Sequence, residues 1–198
     1  MISKQVKLIT QSMLKTVIIY KGAKPDDSEL LELFPSLDIT YIPFNGKMVT
    51  EQGSKGTQFS WSWMKSLAPD DYDVRCFMVH QPDLVKAGIT TSWGLYNLDN
   101  DKVHDFYITN LDNSHLDARA AHNGFRTNFC WMFVHEFLHG SVWESTHDPV
   151  LSDQSVHQWE REGTLKQHLA DYETKLNKLS QVVELLKSWV ALIIKNKK

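Results

Sequence analysis

The sequence has little with which to tie itself together covalently. Only two cysteines, Cys76 and Cys130, occur in 198 residues, each inside an apolar run, VRCFMV and NFCWMF. That excludes a disulfide framework and predicts two buried, reduced thiols. No apolar run approaches the about 20 residues needed to span a bilayer. The N-terminal MISKQVKLITQSMLKTVIIYKG interrupts its apolar residues with Gln, Ser and Lys, so no signal peptide is expected and cytoplasmic synthesis is. An excess of one charge is also missing: 21 Lys and Arg stand against 24 Asp and Glu, and without a basic stripe no nucleic-acid partner is expected. There are no internal repeats or low-complexity tracts. The acidic stretches around Asp99–Asp105 and Asp112–Asp117 lack the Gly and Glu positions of an EF-hand loop and read as solvated turns. What is plentiful is histidine and tryptophan, nine and seven residues; the first permits metal binding and the second supplies core or a binding surface.

The length suits one domain with an appendage. TVIIYKG (Thr16–Gly22) reads as a buried strand, PDDSELLELF as a helix with capping-box spacing between Asp26 and Glu29, and LDITYIPF (Leu37–Phe44) as a second strand. This predicts a β-α-β opening. NGKMVTEQGSKG reads as a loop, and TQFSWSWMKSL as a short helix with Phe59, Trp63 and Leu67 on one face. YDVRCFMVHQ, ITTSWGLYN and VHDFYIT read as three further strands, with LDNDK as a turn between the last two, giving four or five strands before the histidines. After HNG (His122–Gly124), the residues Phe125 to Leu138 are apolar nearly all round, the pattern of a helix buried in the middle of a domain.

That helix carries HEFLH, His135 to His139. Residues four apart lie one above the other on a helix, so His135 and His139 can share one metal ion as neutral imidazoles. Glu136 is rotated about 100° from His135, beside the metal rather than on it, where a general base for an activated water belongs. Two imidazoles and a carboxylate buried without partners would be costly, and a metal resolves that conflict.

HEFLH and the order of mixed strands followed by this helix resemble the zincin metallopeptidases, over Thr16 to His147. The resemblance implies a zinc-dependent peptidase with Zn2+ as cofactor, Glu136 as general base, and a peptide or protein substrate. It also implies a cleft-edge strand that binds substrate backbone, for which ITTSWGLYN is the candidate. The third ligand is open among several residues. His147, eight after His139, resembles the metzincin ligand with a two-residue expansion, although no Met follows Met132 to form a Met-turn. Gly140, one past His139, favours an early end to the helix and a return of the chain toward the metal, so His147 is the expected ligand. Glu160 is the alternative on the thermolysin-like pattern and His157 on the Spartan-like one; Asp148 and Asp153 complete the set. Asp148 otherwise orients a ligand or caps a helix before Pro149. Tyr172, His157 and His168 are candidates for stabilising an oxyanion.

From Leu165 the chain changes character. Leu165, Leu169, Tyr172, Leu176, Leu179, Val183, Leu186, Val190 and Ile193 repeat with spacings of four and three, a heptad seam on one long helix. It docks on its own domain, pairs with other copies of the chain, or does each with one half; too short to span a membrane, it is not expected to bind one. The sequence therefore predicts an α+β fold: a zincin-like mixed β-sheet with an active-site helix over residues 1–163, and a heptad-patterned helix over 164–198. The rival reading is a non-catalytic, metal-stabilised interaction protein that oligomerises through that helix.

Overall fold

The computed structural model describes residues 13–53, 56–68, 71–89, 94–97, 104–109 and 114–196. The elements in chain order are β1 (Leu14–Tyr20), α1 (Ser28–Leu33), β2 (Leu37–Pro43), β3 (Thr50–Gly53), β4 (Gly56–Phe59), α2 (Trp61–Ser66), β5 (Val74–Val79), α3 (Gln81–Lys86), β6 (Gly94–Tyr96), β7 (His104–Thr109), α4 (Ser114–His122), α5 (Asn128–Thr146), α6 (Pro149–Glu162) and α7 (Leu165–Asn196). This is a mixed α+β architecture with a long C-terminal helix.

The main sheet has the order β2-β1-β5-β7-β6. Its first four strands are parallel, and β6 closes one edge antiparallel to β7, with Tyr96 opposite Phe106. The β-branched run of β1 has a partner strand on each side and a packed layer on each face, which is why it reads as continuously apolar. On one face Ile18, Cys76, Phe106 and Ile108 pack against α1, α5 and the start of α7. On the other, Ile19, Phe77 and Tyr107 meet Phe59, Met64 and Leu84. Both cysteines are free and buried.

Several sequence expectations are corrected by this arrangement. The stretch read as a polar loop forms a two-stranded hairpin, β3 with β4. Phe59 ends β4 rather than starting a helix, and Ser60 caps α2 by accepting from the Trp63 N–H. α3 and α4 were not expected: Pro82, just past the YDVRCFMVHQ strand, sits in the first turn of α3, where its missing N–H costs nothing. LDNDK lies outside the described residues.

Asp26 and Glu29 do not form a capping box. Asp26 accepts from the Ser28 N–H. Glu29 is buried and reaches across to α5, accepting from the backbone N–H groups of Arg126 and Thr127 at 2.9–3.1 Å while Lys166 Nζ approaches to 3.1 Å. A carboxylate at a helix N-terminus is favoured by the helix dipole and the unpaired amides there, so Glu29 fixes where α5 begins. Thr127 completes that start by accepting from the Cys130 N–H.

Candidate metal centre

α5 crosses the middle of the apolar layer, and its residues from Phe129 to Leu138 are all buried. It does not stop after His139. It runs through Gly140 for six more residues to Thr146. Gly140 serves a different purpose from ending the helix: a Cβ there would come within 2.2 Å of the His104 imidazole and 2.4 Å of the Tyr96 ring. The missing side chain lets α5 press against β6 and β7.

The continuation of α5 carries His147, the expected third ligand, past the end of the helix and outside the group of histidines that come together. His147 is the residue at which the helix ends, in the left-handed conformation at φ 53°. Its N–H donates to the Trp143 carbonyl at 2.8 Å, its ring stacks on Trp143, and it is exposed. Asp148 then caps α6, accepting from the Val150 and Leu151 N–H groups, with Pro149 in the first turn. These residues form the bend of a helical hairpin, and α6 returns antiparallel along α5.

The returning helix brings His157 to the two histidines of HEFLH. His135, His139 and His157 each offer a ligand atom, and these atoms lie within 4.8 Å of one another. The Nε2 atoms of His135 and His139 are 3.1 Å apart. Ser152 fixes how His139 is used: its Oγ donates to the His139 carbonyl at 2.7 Å and lies 3.3 Å from His139 Nδ1. With its proton spent on the carbonyl, the hydroxyl can only accept from Nδ1–H, which leaves the Nε2 lone pair pointing at His135.

Glu160 stands behind the group. Its Oε2 is 3.6 Å from His135 Nδ1 and 3.4 Å from His157 Nδ1, and its Oε1 is 2.7 Å from the Arg119 guanidinium. Asp153 flanks His157 at 3.3 Å on the outer side. The alternatives weighed from sequence thus take different places: His157 joins the group, Glu160 and Asp153 surround it, and Asp148 caps a helix. Tyr172 packs edge-on to Phe34 and Phe137, and His168 stacks on Trp159, so neither enters the site.

The electrostatics follow from burial. Desolvation, with the neighbouring histidines adding to it, pushes His135 well below the ordinary imidazole range and His139 down to about 4. Both are neutral bases at neutral pH, the form a metal requires. His157 is raised, chiefly by its hydrogen bond to Glu160. Burial pushes Glu136 up to about 8, with the Glu160 charge adding to the effect. Buried imidazole lone pairs beside two buried carboxyl groups, with His135 Nδ1 lacking a hydrogen-bond partner, are a donor set that fits a cation.

The group opens on a cavity of about 630 Å³. Its walls are Gly94, Leu95 and Tyr96 of the edge strand, Trp131 and Met132 of α5, and Pro149 and Ser152 of α6, with Glu136 and the three histidines inside. Gly94 is needed there, because a Cβ would come within 2.2 Å of Glu136 Oε1. Sequence reasoning missed Gly94, Arg119 and Ser152. The lone Gly inside a strand pattern was the available signal for a close backbone approach; nothing marked the other two.

No protein-family model matches the chain, and neither does any curated protein or solved structure, so the chemistry of the site carries the functional reading by itself.

Proposed function

We propose that the chain is a zinc-dependent peptide-bond hydrolase of the zincin type, with His135, His139 and His157 as ligands and Glu136 as general base. The observation that carries the reading is the placement of Glu136 in the same cavity as the three histidines, under an antiparallel edge strand. A closed structural metal site has no use for a carboxylate facing open space beside it; a hydrolytic one needs it.

Zinc suits the donors. Ligands held at 2.0–2.1 Å in a tetrahedron stand about 3.3 Å apart, near the 3.1 Å between the two Nε2 atoms. His135, His139 and His157 would hold the ion, and the cavity beside them has room for a water. Bound zinc would lower the pKa of that water and polarise the scissile carbonyl. Glu136 takes the proton from the attacking water as the C–O bond forms and the carbonyl π electrons move to oxygen; it then delivers that proton to the amine nitrogen, and the C–N bond breaks as the carbonyl re-forms. A dication close by favours the ionised carboxylate and so opposes the upward push of burial on Glu136. Glu160 supplies the carboxylate that orients His157 through its Nδ1 atom and places a negative charge beside His135. Among the described residues β6 ends the sheet, and an edge strand is the place where an extended peptide can add to a sheet.

The test is Glu136→Gln in the full chain. Metal content, measured by elemental analysis, is expected to stay near one zinc per chain, while cleavage of a broad peptide library falls by about 10²–10⁴-fold. A variant that cleaves like the parent removes Glu136 as the base. Parent protein that holds zinc and cleaves nothing in the library favours the metal-stabilised interaction protein instead.

A further inference from the structure

The heptad seam of α7 divides at Leu179. Before it, Leu165 and Leu169 are buried, and Tyr172 and Leu176 pack against the main core. Glu173 anchors this half, accepting from the Ser36 hydroxyl at 2.5 Å. Beyond it, Leu179, Val183, Leu186, Val190 and Ile193 continue the same spacing but are 39–63% exposed.

A second set of positions changes at the same point. One residue before each seam position, or one before the next, the docked half carries His168, Asp171, Lys175 and Lys178. The distal half carries Val182, Leu185, Trp189 and Leu192, again spaced three, four and three, and Trp189 is 67% exposed. In heptad terms, positions a and d are apolar along the whole helix, whereas c and g are apolar only in the distal half. Four neighbouring columns of seven span about 150° of arc, against about 50° for a and d alone.

We infer that the distal half of α7 assembles three or more copies of this chain into a helical bundle. Valine at a with leucine at d, as in Val183, Val190, Leu179 and Leu186, suits two strands by itself. A two-stranded coil would still leave Leu185 and Leu192 on its outer side in water. A second seam in the same register needs a second neighbour, which a larger bundle supplies. The repeat itself argues for helices as the occupant, since a 3.5-residue period matches a supercoiling partner. The remaining stripe argues against a lipid surface. From Gln181 to Ser188 it carries one acid and one base, Glu184 and Lys187, paired at 2.8 Å, where a membrane-lying helix is rich in Lys and Arg; Ala191 and Ile194 follow, and Lys195 stands only in the last turn. This inference is independent of what the metal centre does.

The experiment is light scattering and sedimentation of the full chain across a concentration series into the tens of micromolar. The expected result is a discrete molar mass at least threefold that of one chain. Leu185→Glu with Trp189→Glu, which touches only the second seam, is expected to reduce it to twofold or less, with unchanged metal content and far-ultraviolet circular dichroism. A parent protein that stays monomeric overturns the inference, as does one that stops at a dimer or grows without a fixed mass. Unchanged mass in the double variant overturns it too. So does a monomer that co-sediments with phosphatidylglycerol vesicles, which would assign the surface to lipid.

Discussion

The α5–α6 hairpin and the last turns of α7 depart from ordinary burial in opposite directions. The hairpin puts His135, Glu136 and Glu160 into the interior, at 4–8% exposure. The distal half of α7 leaves leucine, valine, isoleucine and tryptophan in water. Buried polar groups need a partner to offset their desolvation, and a contiguous exposed apolar stripe marks a surface that something covers. Under the two proposals above, a cation among three nitrogens completes the first region, and helices that repeat every seven residues complete the second. A compact cluster of donors constrains its complement by distance, whereas a repeating stripe constrains it by period.

The largest effect that can break this comparison lies in the ligand set. His157→Ala is expected to weaken zinc binding by several orders of magnitude in a chelator competition titration, whereas His147→Ala leaves it unchanged. The reverse ranking would mean that the C-terminal end of α5 folds back as its glycine suggested. Glu160→Gln should fall between, at about 10–100-fold weaker binding, since it keeps the shape and removes the charge that faces His135 and His157. A loss as severe as that of His157→Ala would make Glu160 a ligand instead.

Acidification of metal-free protein sharpens the same point. His139 titrates at about 4 in the folded chain, against an ordinary 6.5, so between those values the unfolded state binds more protons. His139 therefore costs stability as pH falls from 6.5 toward 4, with His135 adding in the same direction; Glu136, pushed up to about 8, acts with the opposite sign down to its ordinary 4.5, so the acid limb is steepest below that value. Thermal melts of chelator-treated protein should show this acid limb, and His139→Gln should make it shallower. An equally steep limb in the variant would place the sensitivity elsewhere.

Gly94→Ala is a smaller, more local probe. The new methyl group meets the Glu136 carboxylate, and overpacking of this kind costs about 1–3 kcal/mol. Cleavage should drop further than the melting point implies, because the displaced group is the proposed base. A variant with full activity would show that β6 yields instead.

Much of the scaffold was legible because local chemistry decides it. β1 and β5 are apolar on both faces, the β-α-β opening has its turn residues in place, and α7 repeats every seven residues over its whole length. The helix carrying His135 and His139 was legible for the same reason. The third histidine was not, because it depends on where α5 ends. Gly140 looked like a helix stop, but its missing side chain answers to Tyr96 and His104, which lie far away in sequence. Once the bend is placed at His147 and Asp148, the arithmetic is simple. His139 lies eight residues before the bend and His157 nine after it, about 12 and 14 Å at 1.5 Å per residue, so an antiparallel hairpin brings them level. The signal was the Asp148-Pro149 pair, a helix start that outweighs a glycine. Arg119 and Ser152 were illegible for a simpler reason: an arginine or a serine on an amphipathic helix has no pattern that reveals which buried group it will meet.

The smallest expected effect is the most direct test of the division within α7. Past Ser180, no described side chain is buried, so ending the chain there removes no part of either core. In dilute solution, where mass action disfavours assembly, the truncated protein should unfold within about 0.5 kcal/mol of the parent and hold as much zinc. At the tens of micromolar where the parent assembles, its molar mass should fall to that of one chain. A large drop in stability at equal dilution would mean that the distal turns support the domain directly, and the two halves of the helix would then act as one unit. An unchanged midpoint with a collapsed mass would separate them: the first half of α7 belongs to the fold, and the second to the assembly.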